Sequence, residues 1–181
     1  MAPETRYNVP LLRKVRDRIR SEQKHDQKLW ARISRSVLRT IPGRWTTDGG
    51  DRFITVSCPT AACVAGWAAS LSGALMLVSE DEYTWHSIRH GSAEAYEVLD
   101  ADGNVKHIAA YAREALGLTA REAEALFDGE WSNEDTLENL SDIILAAQHG
   151  RDWEIRWYGA PPDDGCELDQ WEQDLADPAQ G

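Results

Sequence analysis

Residues 52–73 read RFITVSCPTAACVAGWAASLSG. The first seven residues are rich in β-branched and aromatic side chains, a composition that predicts a short strand. Pro59 suits the first turn of a helix, and the many small residues that follow it predict a thin helix over 59–72. Because such a helix lets neighbouring backbones approach closely, we expect it to lie buried at the centre of the molecule.

The residues before this stretch predict two basic helices. Apolar side chains recur at helical spacing over 9–22, after Asn8 as an N-cap, and again over 26–38, after Asp26. Each segment has one apolar stripe and a face of arginine and lysine. The sequence therefore predicts a basic helical pair within residues 9–40.

The residues after it predict a hairpin and further helices. Residues 96–107 have two β-prone arms joined by Asp102-Gly103, a pair typical of tight hairpin turns. Helices are predicted across 107–148, where Thr119 and Ser132 each begin a capping box.

The predicted fold class is therefore α+β. We expect a mainly helical single domain over residues 1–150, containing a short strand and a β-hairpin. An acidic C-terminal tail with three tryptophans, residues 151–181, follows it. A chain of 181 residues is long enough to bury the core of one such domain.

Composition favours a cytoplasmic protein with reduced thiols. The chain has three cysteines, an odd number that does not suit a disulfide framework. No apolar run approaches the ~20 residues needed to cross a bilayer, and the first twenty residues lack the apolar segment of a signal peptide. We therefore expect no membrane partner.

Charge is unevenly distributed. Residues 6–44 contain 12 basic and 3 acidic residues, whereas residues 45–181 contain 7 basic and 27 acidic ones. The basic segment could pack against the acidic body, join two chains as a homodimer, or bind nucleic acid through Arg13, Arg16 and Arg20. The acidic remainder disfavours nucleic acid, because it would repel a duplex that came close.

Two constellations could perform chemistry, although neither is favoured. Cys58 at the predicted start of a helix could be a nucleophile, because a helix N-terminus lowers a thiol pKa, with His107 as base and Asp100 to orient it. A structural zinc site is the second constellation, and no other cofactor is predicted. Its four ligands would be Cys58, Cys63, His86 and His90.

One family resemblance accompanies these observations. The run from Cys58 to Trp67, CPTAACVAGW, follows an N-terminal Asn8-Val-Pro-Leu-Leu and a segment bearing Trp30. It resembles the Cys-Gly-Thr-x-Ala-Cys-x-Ala-Gly core of small proteins encoded by phages of actinobacteria and by their hosts, with Pro59 in place of the usual glycine. The segment 115–127 is similar too, and the resemblance spans residues 8–131.

The resemblance implies an origin and no mechanism. With the charge and the eight tryptophans, it predicts a non-catalytic, phage-type accessory protein that binds a host protein in the host cytoplasm. Trp153, Trp157 and Trp171 are the predicted partner-binding residues. The alternatives are a cysteine-dependent hydrolase or acyltransferase using Cys58, and a zinc-stabilised or nucleic-acid-binding module.

Overall fold

The computed structural model describes residues 5–22, 25–40, 43–89 and 91–155. Within them the protein is an α+β fold, as predicted. The helices are α1 (Val9–Glu22), α2 (Arg35–Thr40), α3 (Val64–Leu71), α4 (Glu82–Arg89), α5 (Ile108–Leu116), α6 (Ala120–Phe127) and α7 (Asn133–Gln148). The strands are β1 (Ala31–Ser34), β2 (Gly43–Thr46), β3 (Arg52–Val56), β4 (Ala61–Ala62), β5 (Leu75–Ser79), β6 (Ser92–Ala95), β7 (Glu97–Leu99) and β8 (Val105–His107).

The strands form two antiparallel sheets, which is more strand structure than the predicted single strand and hairpin. The larger sheet has the order β2-β3-β5-β7-β8, and the smaller has the order β4-β1-β6. Strands β6 and β7 are separated in sequence by Tyr96 alone, so the chain passes there from one sheet to the other.

The prediction of the first basic helix is confirmed, and the prediction of the second is wrong for its first half. Asn8 caps α1, because its side-chain oxygen accepts a hydrogen bond from the N–H of Leu11. Residues 31–34, however, form the central strand of the smaller sheet, with Ala31 opposite both Ala62 and Ala95. Because β1 is hydrogen-bonded to a strand on each of its edges, strand structure prevails over the helical spacing of its apolar residues. Of the second predicted helix, only α2 is helical.

The central helix begins later than predicted. Residues 61–62 form β4 beside β1, and the N–H groups of Thr60 and Cys63 donate to the carbonyls of Arg32 (2.7 Å) and Leu29 (2.8 Å). The backbone before Val64 is therefore hydrogen-bonded to β1 and the residues before it, and α3 starts at Val64 with Cys63 as its N-cap. Six of its eight residues are buried, so its predicted central position is confirmed.

The elements on either side of this helix agree with prediction. Strand β3 lies within the predicted first strand, and β7 and β8 form the predicted hairpin, with Gly103 at a φ of +85° in its turn. Both capping boxes are present, at Thr119 and Ser132. Of the predicted tail, residues 156–181 lie outside the described residues.

Candidate functional site

The two sheets enclose a cleft of about 680 Å³, a volume typical of ligand sites. Helix α4 closes one side of it. The cleft is lined by Arg32 of β1, Phe53 of β3, Leu77 and Ser79 of β5, Asp81, Thr84 and Ser87 of the α4 region, Ser92, Ala93 and Glu94 of β6, and Tyr96, Glu97 and His107.

Strand alternation explains which residues face the cleft. Successive side chains of a strand point to opposite faces of a sheet. In the larger sheet one face is buried and apolar; its members are Ile54, Val56, Met76, Val78 and Val98. The residues between them face the cleft, and Leu77, Glu97 and His107 form one row, since Leu77 is opposite Glu97 and Glu97 is opposite His107.

His107 is held in one orientation at the end of this row. Its Nδ1 accepts a hydrogen bond from the N–H of Ala109 (3.2 Å), which makes it the N-cap of α5. The ring packs against Trp30 in an edge-to-face arrangement, with the ring centroids 5.2 Å apart. Burial lowers the pKa of His107, so the ring is neutral near pH 7, with the proton on Nε2.

Glu97 is half-buried beside His107. Burial raises the pKa of its carboxyl group. Among the described residues its carboxylate has no hydrogen bond and no ion pair. The wall of the cleft therefore presents a half-buried carboxylate whose oxygens are bonded by no described residue and are available to a ligand.

Tyr96 lies at the mouth of the cleft. Its side chain is 52% exposed, and with Leu145 it is one of the two large apolar side chains that are exposed in the described part of the chain. Its hydroxyl donates to Glu94 (2.6 Å). In the smaller sheet Arg32 is opposite Glu94, so a charge of each sign lies beside the aromatic ring. Such a mouth offers stacking, hydrogen bonding and charge to a ligand.

The residues of the predicted cysteine site lie apart. Cys58 is exposed, two residues beyond the end of β3, and not at a helix start. His107 is on β8, three strands away, which corresponds to roughly 14 Å at the usual strand spacing. Asp100 instead closes the hairpin turn by accepting from the N–H groups of Asp102 (2.9 Å) and Asn104 (2.8 Å).

The predicted zinc ligands are also dispersed. Cys63 is buried, its thiol donates to the carbonyl of Trp30 (3.7 Å), and burial raises its pKa to about 11. Cys58 and His86 are exposed, and His90 lies outside the described residues. Within the described ranges, no three His, Cys, Asp or Glu side chains are grouped to hold a metal ion.

The other predicted site residues have different positions. Trp153 is 6% exposed and its backbone N–H donates to the hydroxyl of Tyr7 (2.8 Å), so it is a core residue and not a surface anchor. Trp157 and Trp171 lie outside the described residues. On α1, Arg13 and Arg20 are exposed and Arg16 is half-buried, 3.6 Å from Asp17. The nucleic-acid alternative stays a prediction.

Sequence reasoning missed Glu97, Glu94, Arg32 and Tyr96 as site residues. One signal was available for Glu97. A hairpin with its turn at Asp102-Gly103 puts Glu97 opposite His107, and alternation puts both on the face opposite Val98. No signal was available for the wall formed by β1, because those residues were predicted to be helical.

Comparison of the chain with protein-family models, with curated proteins and with solved structures finds no significant match. In the described part of the chain, no helix has both the length and the apolar character needed to cross a membrane. The interpretation of the site therefore depends on its own geometry.

Proposed function

We propose that this protein is a non-catalytic binding protein, and that it captures an exposed segment of a partner protein in the cleft between its two sheets. The observation that supports the proposal is the cleft itself, which combines an exposed aromatic ring at its mouth with a half-buried carboxylate that no described residue bonds. In keeping with the family resemblance, we propose that the partner is a host protein and that the chain is a phage-type accessory protein.

The composition of the cleft supports binding of a protein segment. Tyrosine is enriched at protein interfaces because its ring supplies a large contact area and its hydroxyl a hydrogen bond. Tyr96 has both features, and Phe53 and Leu77 add apolar surface deeper in the cleft. Arg32 and Glu94 at its walls supply the charged groups that set specificity in such interfaces.

The separation of Cys58, His107 and Asp100 favours binding over cysteine catalysis. A nucleophile and its base must come within hydrogen-bonding reach, about 3 Å. In this structure His107 lies three strands away from Cys58, and its Nδ1 caps helix α5. Asp100 is likewise engaged elsewhere, because its carboxylate accepts hydrogen bonds within the hairpin turn.

Site-specific photo-crosslinking tests the proposal. A photoreactive phenylalanine derivative replaces Tyr96 in one protein and Leu145 of α7 in a matched control, because the two side chains are 52% and 50% exposed. Both are irradiated in extract of an actinobacterial host. We expect one discrete adduct at position 96 and none at position 145. An excess of wild-type protein without the photoreactive group should prevent formation of this adduct, whereas an excess of the Arg32→Glu variant should not.

The mass of the adduct distinguishes a host protein from a second copy of the chain. Adducts of equal pattern at positions 96 and 145, or none at position 96, would overturn the proposal.

A further inference from the structure

Among the residues that the structure describes, none compensates the charge of Glu97. A carboxylate removed from water is costly unless a cation or several hydrogen-bond donors replace its hydration. Glu97 is half-buried, and no described residue bonds to its carboxylate. Its neighbours in the row are Leu77, which is apolar, and His107, whose neutral ring supplies no compensating positive charge.

The other described charged groups of the cleft do not cancel this charge. Among the residues that the structure describes they are Asp81, Glu94 and Arg32. Arg32 is paired in register with Glu94 on the smaller sheet, not with Glu97 on the larger one. With His107 neutral, the three carboxylates and one guanidinium of this described lining have a net charge of −2. A cation entering the cleft is therefore attracted by the net charge of these residues and meets Glu97, whose carboxylate no described residue bonds.

Aromatic rings line the same cleft as this carboxylate. They are those of Phe53 and Tyr96, and Trp30 contacts His107 edge to face. The face of an aromatic ring attracts ammonium and guanidinium groups, and the attraction grows when the cation is desolvated. Carboxylate and aromatic surface together favour a protonated amine over a metal ion, which would require several oxygen or nitrogen ligands on one centre.

We propose that the cleft binds a cationic nitrogen group, an ammonium or guanidinium, with Glu97 as its counter-ion and Phe53 and Tyr96 as its aromatic walls. This inference rests on the proposed function, in which the group is the side chain of a lysine or arginine in the captured segment. A free polyamine offers the same chemistry from a different source, and the experiment separates the two.

Titrations followed by ¹H–¹⁵N NMR test the inference on the full chain. The probes are acetyl-Gly-Lys-Gly-amide, its arginine counterpart, its norleucine counterpart, which keeps the aliphatic chain without the charge, and spermidine. We expect the lysine or arginine peptide to shift the backbone amide signals around Glu97 and His107, and the norleucine peptide to leave them unchanged.

Two variants locate the effect. Glu97→Gln keeps the shape of the side chain and removes its charge, and we expect it to weaken binding of the cationic peptide about tenfold or more. Glu130→Gln, an exposed residue outside the cleft, serves as the matched control and should bind as the wild type does. Because no described residue pairs with Glu97, the Gln variant should keep its fold, which its own spectrum verifies.

The inference is overturned if no cationic probe shifts these signals, if norleucine binds equally, or if Glu97→Gln binds with unchanged affinity. If Glu97→Gln binds the cationic peptide with unchanged affinity but a specific photo-adduct forms at position 96, the proposed function is supported and the cation site is excluded. Glu97-dependent binding of spermidine alone, without an adduct at position 96, would support the cation site and overturn capture of a protein segment.

Discussion

At the scale of single residues, the two described cysteines have opposite environments. Cys58 is exposed after β3, whereas Cys63 is buried at the N-cap of α3. A helix start usually lowers a thiol pKa. At Cys63 burial outweighs the N–H groups of α3 and raises the pKa to about 11, so the thiol is protonated as well as inaccessible.

This difference predicts selective alkylation. In native protein treated with iodoacetamide near pH 8, we expect Cys58 to be modified and Cys63 to be protected until the protein is unfolded in urea. Peptide mass mapping of both cysteines before and after unfolding makes the measurement. Labelling of Cys63 at the rate of Cys58 in native protein would contradict the burial of this junction.

At the scale of elements, the chain folds around the approach of α3 to the residues before β1. A Cβ atom built on Gly66 would overlap the carbonyl oxygen of Trp30, so only glycine permits this distance. The small residues of the stretch 52–73 thus have the role that the sequence predicts. They let a helix pack almost directly on a neighbouring backbone.

The substitution Gly66→Ala tests the close approach of α3 to the carbonyl group of Trp30. In an exposed helix the change would stabilise the protein by up to ~1 kcal/mol, because alanine is the better helix former. Here we expect it to lower the free energy of unfolding by about 1–3 kcal/mol or more, as overpacking does. Gly129→Ala is the control, because its new Cβ would meet neighbours at 3.7 Å or more. Urea denaturation should separate the two; equal stability would refute the close approach.

The elements also show what the sequence could predict. Local signals were sufficient for α1, the hairpin and the two capping boxes, because Asn8, Asp102-Gly103, Thr119 and Ser132 each act on neighbouring residues. They were insufficient for β1, whose strand conformation depends on distant β4 and β6.

The same limit applies to the site. Glu97 and His107 come together within one hairpin and could be paired from its turn. Arg32 and Glu94 face each other only because β1 lies next to β6, a long-range pairing that residue spacing does not contain. The cleft requires both sheets, so the sequence predicted neither its existence nor its lining.

At the scale of the whole molecule, Arg6 and Tyr7 join the beginning of the described chain both to Glu122 of α6 and to residues 152–153 at its end. Arg6 donates two hydrogen bonds of 2.7 Å to the Glu122 carboxylate, and the hydroxyl of Tyr7 donates a third. Arg6 also donates a hydrogen bond to Asp152, and the hydroxyl of Tyr7 accepts one from the backbone N–H of Trp153. The buried Trp153 is therefore part of a clasp formed by these five residues, and this clasp explains why the tryptophan is absent from the surface.

The clasp makes stability depend on pH in a defined direction. Burial by itself would raise the pKa of Glu122, but the hydrogen bonds from Arg6, Tyr7 and Thr119 outweigh burial and hold it below the ordinary value of 4.5. A carboxyl group whose pKa is lower in the folded state stabilises the protein above its unfolded pKa. That contribution is lost as the pH falls through the lower, folded value.

Glu122→Gln should therefore lower the free energy of unfolding by roughly 2–3 kcal/mol at pH 7, because it removes the charge that Arg6 and Tyr7 bond. The difference from wild type should shrink as the pH falls below the ordinary value of 4.5 towards the lower pKa that Glu122 has in the folded protein. Urea denaturation of both proteins across this range measures it, with exposed Glu130→Gln as the control. A wild-type advantage that stayed constant down to pH 3 would show that the charge of Glu122 does not stabilise the clasp.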